Sequence, residues 1–295
     1  MRKLIIFSLV GFFAQLIDGS LGMAFGLTSS SLLLAYGVAP AIASASIHMA
    51  EIATTAASGI SHYKFGNVDK GIVFRLMIPG MISAFCGAAF LSSIPGDLIK
   101  PYISGFLLLL GIYILFRFLI IKTDTGSNGK HRQLKHRFLY PLAMIAGFFD
   151  SVGGGGWGPI NTPVLLSRKG AVPRKVIGTV DTSEFGITIS ATLGFVMFLG
   201  WEQINWIWVL AFVIGGVFAA PLAAWLVRKI PSFILGVLVG GFIILTNANT
   251  ILTEIAVASN ITTIIYAIMI IGWIISIVTV VRRNSKSANQ FQNAG

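Results

Sequence analysis

The sequence predicts an all-α polytopic membrane protein of two homologous halves. Each half is a glycine-broken, hairpin-like segment followed by three transmembrane helices, and one extra helix follows at the C-terminal end. Three observations predict this. Apolar runs of about 20 residues, the length a bilayer core requires, recur along all 295 residues. Only 11% of the residues are charged and 55% are hydrophobic, where a soluble domain averages about 25% charged. One unusual arrangement of acids, glycines and prolines occurs twice, in the same order.

The segments, in order, are 4–34, 41–61, 72–92 and 101–121, then 138–167, 176–200, 206–227, 232–252 and 259–281. The first opens on MRKLIIFSLVGFFAQ, a basic pair and an apolar stretch that imitate a secretory signal. Residues 11–34, however, match the interior segment 143–166, so the segment is expected to be retained. Between the halves lies 122-KTDTGSNGKHRQLKHR-137, polar, basic and solvated in character. The expected organisation is a first transmembrane repeat over 1–121, a basic cytoplasmic linker over 122–137 and a second repeat over 138–252. An additional helix over 253–283 and a polar tail over 284–295 complete it.

The repeat rests on residue types that an apolar chain does not place by default. The stretch 18-DGSLGMAFGLTSSSLLL-34 aligns with 150-DSVGGGGWGPINTPVLL-166, putting Asp18 on Asp150, Gly22 on Gly154 and Gly26 on Gly158. With one residue inserted, Pro40 falls on Pro173, His48 on Asp181 and Glu51 on Glu184. Further on, Asn67 falls on Gln203, Gly80 on Gly216 and Pro95 on Pro231.

A net charge of +11 would suit nucleic acid if one face collected it. Instead the basic residues cluster at Lys122–Arg137, Arg168–Lys175, Arg228–Lys229 and Arg282–Lys286, between apolar runs. Lys and Arg are retained on the cytoplasmic side of membranes, so these clusters set topology and no nucleic-acid partner is expected. Placing every cluster inside makes 138–167 start and end on one side and gives the halves opposite orientations, an inverted repeat. Arg2 and Lys3 fall on the wrong side in that arrangement, and single broken spans would make the repeat parallel. Cys86 is the only cysteine, which excludes disulfides and cysteine-rich metal sites.

Both long segments, 4–34 and 138–167, break at glycines. Irregular backbone at membrane depth persists only where protein buries it or where it lines an aqueous cavity. A turn leading into a helix aims several N–H groups at one spot, where the helix dipole favours negative charge. Gly22, Gly26 and Gly153, Gly154, Gly155 and Gly156 therefore form candidate oxyanion cradles, with Ser29, Ser30, Asn161 and Thr162 as nearby donors and Trp157 as a wall. The plainer alternative is close helix packing through small residues.

Five of the ten acids fall in apolar segments: Asp18, Glu51, Asp150, Asp181 and Glu184. An ionised Asp at the bilayer centre costs about 2.5–3.5 kcal/mol on insertion scales, so these groups must be wet, paired or protonated. Asp18, Glu51, Asp150 and Glu184 are the candidates for proton carriage, and His48 and Asp181 are secondary ones. Helix capping is the competing role for Asp18 and Asp181, and structural hydrogen bonding for His48. The tryptophans other than Trp157 suit interface belts.

At these residues the chain resembles the TauE/SafE family of sulfite and organosulfur exporters. The resemblance is carried by 153-GGGGWGPINTP-163, more loosely by 19-GSLGMAFGLTSSS-31, and by 67-NVD-69 and 226-LVRKIP-231, over nearly the whole chain. The first half departs from the pattern, with Met23, Ala24 and Phe25 in place of glycines and Ser31 in place of proline. The resemblance implies alternating-access transport of sulfite, sulfonates or related anions, proton-coupled and often outward, in the plasma or inner membrane. The expected partners are the small sulfur anion, protons and lipid, with a homodimer as an option for assembly; no cofactor and no metal site is expected. Two other classes stay open. Five carboxylates suit a cation transporter or channel, whereas a membrane enzyme lacks support: there is no HExxH motif, and His48 and His62 are remote in sequence from Ser151.

Overall fold

The computed structural model describes residues 2–120, 136–167, 171–227 and 232–292. The linker, the residues 168–170 and the segment 228–231 lie outside them, so most of the basic clusters and of the LVRKIP stretch do too. The described residues are all helical, without a strand: α1 (Arg2–Leu21), α2 (Phe25–Ala35), α3 (Pro40–Lys64), α4 (Lys70–Ser92), α5 (Gly96–Ile120), α6 (His136–Gly153), α7 (Trp157–Leu166), α8 (Pro173–Phe198), α9 (Trp206–Leu226), α10 (Ser232–Glu254) and α11 (Ser259–Gln292).

Each glycine-bearing segment is a long helix, a break and a short helix. At about 1.5 Å per residue, the 11 residues of α2 and 10 of α7 reach about half of a 30 Å hydrocarbon core. The breaks turn at Gly22 (φ +68°) and Gly154 (φ +65°), left-handed conformations that glycine adopts without steric cost. Among the described residues, six helices are long and apolar enough to cross a membrane: α1, α4, α5, α9, α10 and α11. The 25-residue α3 and 26-residue α8 are long enough but carry polar residues along their buried faces.

Helix starts follow from local chemistry. Asp69 caps α4, accepting from Gly71 N at 3.0 Å and Ile72 N at 3.3 Å. Asn205 caps α9 in the same way, from Ile207 N and Trp208 N. Prolines open α3 and α8, where a missing N–H costs nothing.

The helices pack through small residues, which let backbones approach closely in a membrane. Gly80 lies against Gly147, and Gly87 against Phe148 and Ser151, so α4 and α6 run in the same direction. Likewise Gly11 meets Phe212 and Gly19 meets Ala223, which sets α1 alongside and parallel to α9. Met77 meets Gly186 and Ala88 meets Gly194, so α8 is parallel to α4. Asn205 N donates to Ser46 Oγ, Thr54 meets Gly216 and Asn67 Nδ2 donates to Ala224 O, so α9 is parallel to α3. At the centre α3 and α8 are antiparallel, with Gly59 on Thr182 and His62 on Gly178. So are α5 and α10, which are joined at one end by the Lys100–Glu254 ion pair. Thus α1, α3 and α9 point one way, and α4, α6 and α8 the other. The last helix, α11, packs on α10 through Trp273 against Gly241 and is exposed along most of its length.

Candidate functional site

A polar stripe runs down the buried face of α3: Ser44, His48, Glu51, Thr55, Ser58 and His62, spaced four and three residues apart. That spacing keeps side chains on one face of a helix. Asp181 and Glu184 occupy the facing helix α8, also buried. The breaks after α1 and α6 bring in Asp18 and Asp150, 3% and 1% exposed. All five acids that the sequence singles out are therefore buried in the interior rather than on the lipid-facing surface.

The two breaks touch each other directly. Ser30 Oγ donates to Gly154 O at 3.0 Å, and Thr162 Oγ1 donates to Gly22 O at 2.7 Å. A side chain on Gly155 would meet Gly26 C at 2.6 Å and Leu27 Cα at 2.9 Å, and one on Gly26 would meet Gly155 Cα at 2.8 Å. Gly155 and Gly26 are thus needed for backbone-to-backbone contact, the close-packing role. Gly153 faces the ring of Phe106 on α5 instead. Trp157 is fully buried and anchored, its Nε1 donating to Val180 O at 3.1 Å and Ser183 Oγ at 3.2 Å. Ser29 Oγ and Asn161 Oδ1, at aligned positions, are buried without a hydrogen-bond partner among the described residues.

Three N–H groups at the half-helix starts are held by carboxylates of the chain itself. Asp150 Oδ1 accepts from Gly156 N at 2.7 Å and from Trp157 N at 2.8 Å. Asp18 Oδ1 accepts from Phe25 N at a longer 3.3 Å. The capping role weighed for Asp18 is thus realised, and Asp150 caps more tightly. Asp181 does not cap: it is the ninth residue of α8, and its Oδ2 accepts from Ser58 Oγ at 2.5 Å.

His48 bonds on both of its ring nitrogens. Its Nδ1 lies 2.8 Å from Ser44 O, a carbonyl that can only accept, so Nδ1 carries a proton. Its Nε2 lies 3.2 Å from Asp150 Oδ2, with both groups buried. Nε2 and Oδ2 are thus within hydrogen-bonding distance, a geometry through which a proton can pass between the two groups. This tautomer follows from the bonding network.

On the other side, Asp18, Asp181 and Glu184 bring one carboxylate oxygen each within 4.8 Å of one another. His62 Nε2 is 3.6 Å from Asp181 Oδ2. Asn67 donates one amide hydrogen to Ala224 O and the other to His62 Nδ1, both at 3.2 Å. That leaves the Nε2 hydrogen of His62 turned toward Asp181. Sequence reading gave no role to His62, Ser58 or Asn67; the four-and-three polar spacing on α3 is the signal that would have found the first two. Glu51 joins the group through Gly26, whose missing side chain would sit 3.1 Å from Glu51 Oε1.

The arrangement places acids, two histidines and two helix starts in a single buried cluster. Groups of these types, buried at membrane depth, can bind ions or exchange protons. Residues 7–250 match the family described as Sulfite exporter TauE/SafE. The chain is 57% identical over 283 residues to "Probable membrane transporter protein YtnM" of Bacillus subtilis (strain 168), covering 96% of this chain and 94% of that one. It is 28% identical over 151 residues to "Probable membrane transporter protein YdhB" of the same organism, covering 50% of this chain and 60% of that one. No solved structure matches. With this match across most of its length and six helices fit to span a bilayer, the chain belongs to the TauE/SafE sulfite exporter family of multi-pass membrane transporters.

Proposed function

We propose that this protein is a proton-coupled secondary transporter of sulfite or a related small sulfur-containing anion, working outward by alternating access. The observation that carries the reading is the Asp150 carboxylate on the start of α7. Gly156 N and Trp157 N hold an anionic oxygen at 2.7 and 2.8 Å, so this helix start is already shaped for an oxyanion, and the oxygen it holds belongs to the chain. Hydrogen bonds to a charged oxygen are roughly twice as strong as neutral ones. Moving a proton from His48 onto Asp150 removes that charge and weakens the cap. The amides are then free to take a substrate oxygen in exchange. Anion binding and protonation of Asp150 are coupled because the anion takes the two amides that the ionised carboxylate otherwise holds.

Ser29, Ser30, Asn161 and Thr162 lie at the same break and serve as further contacts for the anion. Glu51, Glu184 and Asp18 extend the proton-carrying set across the interface of α3 and α8. The aligned positions of the two halves support an inverted repeat. Ser30 and Thr162 reach across to Gly154 and Gly22 reciprocally, and the paired helices α1 and α6, α3 and α8, α4 and α9 and α5 and α10 run in opposite directions. A shared axis between such halves is the usual seat of substrate in secondary transporters.

The test is radiolabelled sulfite flux in proteoliposomes under an imposed pH gradient, comparing the native chain with Asp150→Asn. Asparagine keeps an oxygen for the two amides and has no transferable proton. The reading predicts that the pH-driven component of flux is lost while the protein remains folded. Undiminished pH-driven flux removes Asp150 from the mechanism.

A further inference from the structure

The two sides of the buried cluster differ by one residue type, and the difference points to a second ion. The group Asp150, His48 and Glu51 aligns with the group Asp18, Asp181 and Glu184. On the first side a histidine faces the carboxylate, its Nε2 3.2 Å from Asp150 Oδ2. On the second, Asp181 stands in that place, and three carboxyls converge within 4.8 Å. Glu51 and His48 on α3 and Asp150 on α6 are the other titratable groups of the cluster, and the near faces of α2 and α9 contribute none. His62 Nε2 lies 3.6 Å from Asp181 Oδ2. The other oxygen, Oδ1, is buried and has no donor among the described residues.

A second observation comes from α1. Gln15 is fully buried, and neither its Oε1 nor its Nε2 has a partner among the described residues. It lies three residues before Asp18, on the same face of the helix. Leaving a buried amide unpaired costs about 1–3 kcal/mol, which a ligand shared with Asp18 would recover.

We propose that Asp18, Asp181 and Glu184, with the Gln15 carboxamide oxygen, form a binding site for a single sodium ion. All the donors are oxygens, which suits hard cations and disfavours soft metals. The three carboxylate oxygens, within 4.8 Å of one another, need only small side-chain adjustments to reach one ion at about 2.3–2.6 Å, the range for oxygen-ligated calcium, an ion of nearly the same radius as sodium. The choice of a monovalent ion follows from the aligned side, where one imidazole, a group that carries at most a single positive charge, fills the equivalent place. The inference rests on the transport reading above and adds the cation to it. With sodium at this triad, Asp18 and Glu184 leave the proposed proton-carrying set, which is then the His48–Asp150 pair with Glu51.

The experiment is equilibrium binding of radioactive sodium to the purified, detergent-solubilised full chain, with unlabelled sodium, potassium, calcium and choline as competitors. The expected result is saturable binding near one ion per chain, displaced by sodium but not by choline. Affinity should fall at least tenfold in Asp181→Asn and in Gln15→Leu, and should be retained in Glu202→Gln, an exposed acid remote from the cluster. Two variants guard against one that misfolds, and a melting curve is taken on each. Absence of saturable sodium binding to the folded native chain overturns the inference, as does unchanged affinity in both variants. Calcium binding that sodium cannot displace overturns the monovalent assignment. Sulfite flux without sodium binding defeats this inference and leaves the proposed function intact; sodium binding without sulfite flux does the reverse.

Discussion

Replacing Gly155 with alanine tests whether the two glycine breaks are held together backbone to backbone. A β-carbon there would lie 2.6 Å from Gly26 C and 2.9 Å from Leu27 Cα, and closer still to Leu27 N. All three are main-chain atoms at the start of α2, so no side chain can swing away. Relief requires the starts of α2 and α7 to separate until these contacts reach ordinary separations of about 3.5–4.0 Å. Overpacking of this kind costs about 1–3 kcal/mol. In a chain of this size that corresponds to a fall in melting temperature on the order of 2–4 °C per kcal/mol. The assay is tryptophan fluorescence during heating in detergent, with Trp157, two residues away and fully buried, as a local reporter. Gly105→Ala is the control, because nothing lies within 4 Å of its position and alanine favours a helix interior by about 1 kcal/mol. The Gly155 variant should melt several degrees below the native chain and the Gly105 variant at or above it. Moving the α7 amides also disturbs the proposed anion seat, so sulfite flux should fall with stability. A Gly155→Ala protein that melts and transports like the native chain would refute the close contact and the reasoning built on it.

Other perturbations separate the roles of neighbouring groups. Asp150→Ala removes both caps on α7 and leaves His48 buried without its partner, at a cost of about 3–5 kcal/mol, whereas Asp150→Asn should stay within about 1 kcal/mol of native stability; chemical denaturation in detergent compares them. Ala24 holds φ at 146°, where a β-carbon is strained by about 1–3 kcal/mol. Ala24→Gly should therefore raise the melting temperature modestly, even after the entropic cost of glycine. Asn67→Leu removes the amide that bridges His62 to Ala224 O and should lower stability by about 1–3 kcal/mol, read from the same melting curves. The asparagine is 0% exposed, so a surface substitution effect does not compete.

Much of this molecule is legible in its sequence, because a membrane narrows the options to helices and the acids and glycines are conspicuous against an apolar ground. Helices occupy every predicted segment among the described residues, and the breaks fall at Gly22 and Gly154, where the glycines predict them. The cluster of five acids is likewise readable from their placement in apolar runs. Other features are invisible at that level. The carboxylate that holds the α7 amides belongs to Asp150, whose reach across the turn to Gly156 and Trp157 depends on a left-handed backbone at Gly154. The close meeting of Gly155 with Leu27 depends on segments more than a hundred residues apart. His62 and Gln15 look unremarkable in sequence, since a lone polar residue on a helix acquires meaning only from the face it shares. The alignment of His48 with Asp181 was visible, but their partners were not: each engages an aspartate from the opposite long segment or a serine from the facing helix.

The most direct measurement of the central claim reverses the direction of coupling. Proteoliposomes containing the native protein and a trapped pH-sensitive dye are given a sulfite gradient with no initial pH difference. The membrane potential is clamped, and protein-free vesicles report the change caused by passive leak of the acid form. If protonation of Asp150 frees the α7 amides for the anion, the sulfite gradient must drive protons across the membrane beyond that leak, and Asp150→Asn must abolish the excess. Sulfite crossing through the native protein with no excess proton movement would contradict the account.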